Sequence, residues 1–403
     1  MLSTLGVRIS YPLTTSFFPH PADGSKKVYV LLDNCHMLKL VRNMFAQYKN
    51  IRNGITGGTI SWNFIQKLHN LQQDEGLRLA NKLKRNHLEF ASQKMEVNLS
   101  VQTLSNSTAQ ALLCLKDIGY PEFQDCDETV NFIQTMDRLF DIMNSRNPFG
   151  KGFKGPLRPE NKHIWLPFLN KAHEYLTNLQ TTEGVFLYHT KRKTPILGYL
   201  LMIRVVKSLF EELVEKDNAP LKYILTYKFS QDYLELFFSA ARAVNGRNNN
   251  PTFKQFKAAY RRLLNLHDDT IVSGNCTAQD NTVILSTKAE ACINNDQETS
   301  VSRKYDFSQI MLETPDHDYC MYSPSDCYSS FTATIVTYIA GFVAKKLIET
   351  IECKVCANAL YTTTPPDYDQ RFILIKLRDN GGLTYPSQDI LKVAELTERV
   401  FRR

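Results

Sequence analysis

A short apolar run followed at once by a helix-capping pair constrains the fold of this chain more than any other segment. Residues 27–32, Lys-Val-Tyr-Val-Leu-Leu, are rich in β-branched and aromatic side chains and follow the turn-prone residues 21–25. Such a run is typical of a fully buried strand, here at residues 28–32. Asp33 or Asn34 then caps a predicted helix with apolar positions at helical spacing, namely Met37, Leu38, Val41, Met44 and Phe45. A strand that leads directly into an amphipathic helix indicates an α/β region.

Helical patterns dominate the middle third of the chain. Residues 54–59 interrupt the α/β region, and from about residue 61 to residue 214 strand-like runs are scarce. Residues 147–156 are punctuated by Pro and Gly and predict a loop, whereas residues 196–213 predict a long apolar helix. The sequence therefore predicts an all-α block in this third of the chain.

Helices are also predicted in the second half, on either side of a polar segment. Residues 248–252 separate one helix from the next, and residues 331–351 form a long apolar helix. Between these helices, residues 266–330 are rich in Asp, Asn, Thr and Ser without a sustained period, which indicates a loop-rich linker. The first of the helices, at residues 231–243, has one predicted apolar face, formed by Leu234, Phe237, Phe238 and Ala241.

Composition narrows the class of protein. Hydrophobic residues make up 43% of the 403 residues, enough to bury substantial cores, and no run of 18 apolar residues predicts a membrane-spanning segment. The start of the chain lacks the features of a secretory signal, and nine scattered cysteines favour reduced thiols inside a cell. The 48 basic against 41 acidic side chains leave a charge of +7, which favours an anionic partner such as nucleic acid.

Two cysteines have the spacing of a zinc knuckle. Cys353 and Cys356 could bind one Zn²⁺ ion, but a structural zinc site needs four ligands. The upstream residues that could complete it are His317, Cys320 and Cys327. The alternative is a pair of buried thiols at a helix end.

Two further groups of charged residues are candidates for nucleotide or metal binding. Arg146, Lys151 and Lys154 lie on or beside the Gly-rich loop and could neutralise the phosphates of a nucleotide or of DNA. The loop lacks the spacing of a P-loop, and a solvated basic loop is the alternative. Asp232 and Glu235 stand three residues apart on a predicted helix, so both carboxylates could approach one divalent cation, although surface helices often carry such pairs.

Five strings, in order across nearly the whole chain, resemble one family. Residues 32–43, Leu-Asp-Asn-Cys-His-Met-Leu-Lys-Leu-Val-Arg-Asn, and residues 226–238, Thr-Tyr-Lys-Phe-Ser-Gln-Asp-Tyr-Leu-Glu-Leu-Phe-Phe, are similar to segments of the P-element-type DNA transposases, which include THAP-domain transposases of vertebrates. Residues 248–252, 338–347 and 381–387 continue the resemblance. Five collinear strings are more specific than any single motif.

The resemblance implies a fold class of α/β plus all-α. We expect an incomplete RNase H-like domain interrupted by a large helical insertion of the GTP-binding type, with a C-terminal helical region. The expected parts are 1–60, late strands and helix of the RNase H-like domain; 61–215, the insertion; 216–265, the return to the RNase H-like domain with the catalytic-type glutamate; 266–330, the polar linker; and 331–403, the C-terminal region.

The resemblance also implies a chemistry. In the family two aspartates and one glutamate bind two Mg²⁺ ions during cleavage and strand transfer of DNA. Glu235 matches the glutamate, and Asp232 matches a neighbouring acid that faces the nucleotide of the insertion. Asp33 belongs to a D-x-x-H string that we interpret as positioning the fold. Both catalytic aspartates are expected before Met1, so we expect this chain to be inactive alone.

Partners and location are implied in the same way. The expected partners are GTP and transposon-end DNA, with a homo-oligomer assembled on the DNA, and the expected location is the nucleus. The zinc-coordinating THAP domain is not expected within this chain. A truncated gene model and a genuine remnant are both open origins. The alternative function is a domesticated, catalytically dead DNA- or GTP-binding nuclear protein.

Overall fold

A computed structural model describes residues 3–265, apart from 14, 245, 247 and 249, and residues 329–401, apart from 364–368. The helices are α1 Asn34–Tyr48, α2 Asn63–Asp74, α3 Arg85–Leu88, α4 Val97–Thr103, α5 Asn106–Asp117, α6 Asp127–Met143, α7 Lys162–Thr177, α8 Thr194–Phe210, α9 Asp232–Val244, α10 Phe253–Asn265, α11 Ser330–Thr350, α12 Lys354–Ala359, α13 Ile373–Arg378 and α14 Gln388–Phe401. The strands are β1 Phe17–His20, β2 Asp23–Tyr29, β3 Asn50–Asn53, β4 Thr59–Ser61, β5 Leu179–Thr181, β6 Tyr361–Thr362 and β7 Tyr385–Pro386. The described residues are therefore mostly helical.

The sheets of the described residues are small and antiparallel. Strands β1 and β2 form a hairpin, β4-β3-β5 form a three-stranded sheet, and β6 pairs with β7. In the middle sheet Ile51 pairs with Ile60 on one side and with Thr181 on the other. The prediction of an all-α middle block omitted this sheet because its strands are three or four residues long and largely polar, too short to show a period.

The predicted buried strand at residues 28–32 is wrong in extent and in burial. The strand β2 ends at Tyr29, and none of its seven residues is buried: Asp23, Val28 and Tyr29 are half-buried and the other four are exposed. Val30 is buried but lies beyond the strand, where its amide donates to the Ser16 carbonyl at 2.9 Å. Lys26, at the centre of β2, is exposed to solvent. The backbone hydrogen bonds of β2 are made with β1, to which it is joined in a local antiparallel hairpin.

The helix predicted after residue 33 is confirmed. All five predicted apolar positions of α1 are buried, and α1 packs against α4, α6 and α8. The crossing with α8 is close because a Cβ atom at Gly198 would lie 2.3 Å from the Met37 sulfur. The Asn34 amide donates to the Phe140 carbonyl at 3.2 Å and accepts from the Tyr199 hydroxyl at 3.1 Å. These hydrogen bonds connect the start of α1 to α6 and to α8.

The helix at 231–243 is confirmed, but its predicted apolar face is wrong in part. Leu234 and Phe238 are 60% and 45% exposed, whereas Leu236 and Ala241 are buried. Among the described residues α9 packs mainly against α10, which leaves one side of the apolar pattern without cover. The predicted linker at 266–330 lies outside the described residues, apart from its last two positions.

The C-terminal helical region is confirmed by α11 to α14. Helix α11 packs against α13 and α14, and Gly341 allows β7 to approach it. By length and composition alone α11 could cross a membrane, with a mean hydropathy of 1.4 and half of that window buried. A core helix of a globular protein passes the same test, so the absence of a membrane-spanning segment stays a prediction.

Candidate functional site

The end of α6 and the segment before α9 are bound together, and this junction carries the candidate site. The Ser145 amide donates to the Thr226 hydroxyl at 3.0 Å, and the Tyr227 amide donates to the Ser145 carbonyl at 3.2 Å. A few residues away, Leu157 and Ile224 form an antiparallel bridge with amide-to-carbonyl distances of 2.9 and 3.0 Å. The first turn of α9 is therefore fixed against the end of α6.

Asp33 connects the start of α1 with the start of α9. One carboxylate oxygen accepts from the His36 amide at 2.8 Å and from His36 Nδ1 at 2.6 Å, while the other accepts from Ser230 Oγ at 3.2 Å and the Gln231 amide at 3.1 Å. Burial by itself raises the pKa of Asp33, but the hydrogen bonds from His36 and Gln231 hold it below its ordinary value. Both oxygens are taken by protein donors, which suits a positioning residue.

His36 lies between Asp33 and Glu235. Its Nδ1 faces Asp33, and its Nε2 lies 3.6 Å from Glu235 Oε1. The His36 side chain is 28% exposed and the Glu235 side chain 35% exposed. The imidazole therefore lies next to the Glu235 carboxylate, which still reaches solvent, where it can bind a ligand.

Asp232 faces the other side of the junction. Its carboxylate pairs with Arg146 at 3.1 Å, and the Arg146 guanidinium lies 5.7 Å from the centroid of the Tyr227 ring. The Asp232 amide donates to Ser230 Oγ at 3.1 Å. The structure thus separates the two candidate acids of α9, since Asp232 is mostly buried against Arg146 and Glu235 is directed at His36.

One group of three potential metal-binding side chains occurs here among the described residues. Ligand atoms of Asp33, Cys35 and Asp232 lie within 4.8 Å of one another. Burial raises the pKa of the Cys35 thiol, and the charges of Asp232 and Asp33 raise it further, so the thiol stays protonated. Mg²⁺ prefers oxygen ligands with near-octahedral geometry. A protonated thiol and two carboxylates already held by donors do not fit Mg²⁺.

Of the carboxylates of Asp33, Asp232 and Glu235, that of Glu235 is accordingly the most accessible, at 35% exposed against 6% and 10%. A two-metal centre needs several oxygen ligands, which the described part of the chain does not bring together. No step through a metal ion follows from these residues by themselves.

The basic loop residues do not converge on one point. Arg146 is paired with Asp232, Lys154 lies 3.9 Å from Asp141, and Lys151 is exposed. Burial raises the pKa of Asp141 to about 6, and the nearby Asp137 adds to the effect while Lys154 opposes it. Asp141 is not among the residues predicted from the sequence. The signal for it is the pair Asp137 and Asp141, two acids four residues apart within the apolar pattern of α6.

The cysteine pair is accessible. Cys353 caps α12, and both Cys353 and Cys356 are exposed, so the alternative of two buried thiols is wrong. Hydrogen bonds from the amide and thiol of Cys356 hold the pKa of Cys353 below its ordinary value. The residues proposed to complete a zinc site, His317, Cys320 and Cys327, lie outside the described residues.

Three family models match this chain. The model described as TNP-like, GTP-binding insertion domain, matches residues 35–156. The model described as TNP-like, RNase H C-terminal domain, matches residues 227–261, and that described as DNA transposase THAP9, C-terminal domain, matches residues 327–403. Arg146 therefore lies in the first matched region and its partner Asp232 in the second.

Two curated proteins and one solved structure are similar over much of the chain. DNA transposase THAP9 of Homo sapiens is 30% identical over 414 residues, which cover all of this chain and 44% of that protein. Transposable element P transposase of Drosophila melanogaster is 27% identical, covering 96% of this chain and 48% of that protein. The Drosophila P element transposase strand transfer complex has a TM-score of 0.56 at 27% identity, covering 65% of this chain and 56% of that one. This chain spans about half the length of the curated relatives it matches.

Proposed function

We propose that this chain, which is homologous to the P-element-type DNA transposases, acts in the cleavage and joining of DNA. It would contribute a GTP-binding insertion and the carboxylate of Glu235. The observation that carries this proposal is the junction itself. Asp33 and His36 hold Glu235 on one side, and Arg146 binds Asp232 on the other.

Glu235 is the residue that we assign to catalysis. Two Mg²⁺ ions, when bound, would activate the attacking oxygen and stabilise the leaving oxygen of a phosphodiester. Glu235 would supply one oxygen ligand, because its side chain is 35% exposed and lies beside His36. The remaining ligands are not among the described residues of this junction.

Nucleotide binding involves both matched regions. Arg146 would contact the phosphates of GTP together with one of the exposed loop lysines, Lys151 or Lys154, because the three cations do not converge on one point. Asp232 would face the nucleotide-bound Mg²⁺ once Arg146 turns to the phosphates. Asp141 lies beside Lys154 and offers a carboxylate that can accept from the N1–H and N2–H of guanine. The nucleotide would thereby link the insertion to the helix that carries Glu235.

Calorimetric titration of the chain with Mg²⁺ and GTP tests this assignment. Arg146→Gln and Asp232→Asn should each weaken GTP binding by about tenfold or more, because each removes a charged contact. Lys116→Gln is the matched control, since Lys116 lies in the same matched region but pairs with Asp127. Equal GTP affinity in the three variants and the unmodified chain would reject the assignment.

A second candidate function is a GTP- and DNA-binding protein without catalysis. The observation in its favour is that the described residues do not bring together the several accessible oxygen ligands of a two-metal centre. Mg²⁺-dependent cleavage or joining of DNA by this chain fused to the part of a relative that it does not span, which disappears in Glu235→Gln, would support the first function. Binding of GTP and DNA with no cleavage, in the same assay, would support the second. Assembly as a homo-oligomer on DNA and a nuclear location belong to both.

A further inference from the structure

The loop at residues 147–156 presents one aromatic side chain directly to solvent. Phe149 is 85% exposed, more than any other large hydrophobic residue of the described chain. No aromatic ring or cation of the described residues contacts its ring. The face of this ring is therefore accessible to a ligand.

The backbone around Phe149 is held in place by several contacts. The Phe149 amide donates to Asn147 Oδ1 at 2.9 Å, and Arg158 donates to the Pro148 carbonyl at 2.9 Å. The loop closes tightly on itself, since a Cβ atom at Gly150 would lie 2.5 Å from the Lys154 carbonyl oxygen. The exposed ring therefore stands on a defined turn.

The other aromatic residue of the loop serves as its anchor. The Phe153 ring packs against Phe168 with centroids 4.9 Å apart, and the Arg138 guanidinium lies 5.6 Å from the Phe153 ring centroid. Phe149 has no such contacts, although it lies only four residues away. The two side chains therefore have different roles, and the exposure of Phe149 is not a general property of the loop.

Charge around the loop suits an anionic partner. Lys151 is exposed. The Lys154 side chain is 74% exposed, although its Nζ lies 3.9 Å from an Asp141 carboxylate oxygen. The loop follows Arg146, whose contact with Asp232 fixes it beside the helix that carries Glu235. An exposed aromatic ring close in sequence to exposed lysines can bind an unpaired nucleobase, with stacking on the ring and a phosphate at a cation.

We propose that Phe149 is a stacking platform for a nucleobase, with Lys151 contacting the adjoining phosphate. The base could belong to an unpaired nucleotide of DNA or to a free nucleotide such as GTP. Both sources rest on the proposed function, which includes binding of DNA and of GTP. A ring on a fixed turn loses little conformational freedom when a base stacks on it, which favours binding.

Tryptophan fluorescence provides a direct test. The chain has two tryptophans, Trp62 and Trp165, and both are 3% exposed, so Phe149→Trp adds an accessible reporter. The probes are oligothymidylate of about 20 nucleotides, an abasic oligonucleotide of equal length, and GTP. Stacking should quench the added tryptophan with the first probe but not with the abasic one. Quenching by GTP alone would assign the base to the free nucleotide.

Affinity measurements supply the second readout. Phe149→Ala should weaken binding of the base-bearing probe by about 5- to 150-fold, since stacking on an aromatic ring contributes about 1–3 kcal/mol per base. Ile55→Ala is the matched control, because Ile55 is also a highly exposed apolar residue in a Gly-rich turn. The inference is overturned if the unmodified chain and Phe149→Ala bind the probe equally well and the probe does not quench Phe149→Trp. That outcome leaves the proposed function intact. Failure of the unmodified chain to bind either oligothymidylate or GTP overturns both.

Discussion

Replacing Asp33 by Ala should loosen the junction between α1 and α9 in a measurable way. Loss of the helix cap costs about 1 kcal/mol. Loss of the charged acceptor for His36 Nδ1, at 2.6 Å and mostly buried, adds about 2 kcal/mol. The Gln231 amide is exposed and can bond to water instead, so it adds little. The expected decrease in the free energy of unfolding is about 3 kcal/mol.

Urea unfolding followed by circular dichroism measures this decrease, and hydrogen exchange of the amides at residues 36–38 locates it. Asp217→Ala is the control, because Asp217 is exposed and has no hydrogen bond or ion pair in the described structure. That control should change the free energy of unfolding by no more than about 0.5 kcal/mol.

The pH dependence gives an independent check with Asp33→Asn. The folded-state pKa of Asp33 lies below its unfolded value, near 3.8, so its charge stabilises the protein above that value. This contribution is lost as the pH falls through the folded-state pKa. The difference between the unmodified chain and Asp33→Asn should therefore be constant near neutral pH and shrink below about pH 4. A loss under 1 kcal/mol in Asp33→Ala, or a difference independent of pH, would refute the assigned role.

Three further predictions concern other parts of the chain. Gly341→Ala should lower the free energy of unfolding by about 1–3 kcal/mol, seen as a lower urea midpoint, because its Cβ would lie 2.3 Å from the Thr384 carbonyl oxygen. Iodoacetamide at pH 8 should label Cys353 and spare Cys114, whose pKa burial raises to about 12; peptide mapping that finds equal labelling contradicts this. As the pH drops through about 6, GTP affinity should fall more steeply in the unmodified chain than in Asp141→Asn, since protonation of Asp141 removes an acceptor.

The local sequence pattern was enough to predict those elements whose structure depends on neighbouring residues along the chain. The cap and the spacing of Met37, Leu38 and Val41 predicted α1, and its burial followed because the apolar positions share one helical face. The polar strands β3, β4 and β5 were missed, since strands of three or four residues have no readable period. The strand at 28–32 was placed too far along because a short apolar run does not reveal its pairing partner.

The sequence and the tertiary structure each contributed to defining the candidate site. The sequence by itself identified Asp232 and Glu235 as candidates, since they share one helix and their strings resemble one family. Only the tertiary structure decided their partners: Arg146 binds Asp232 from 86 residues away, and Asp33 binds the Gln231 amide across 198. Helical periodicity places a side chain relative to its neighbours three and four residues away, but which distant group faces it is set by how the helices pack around the intervening chain.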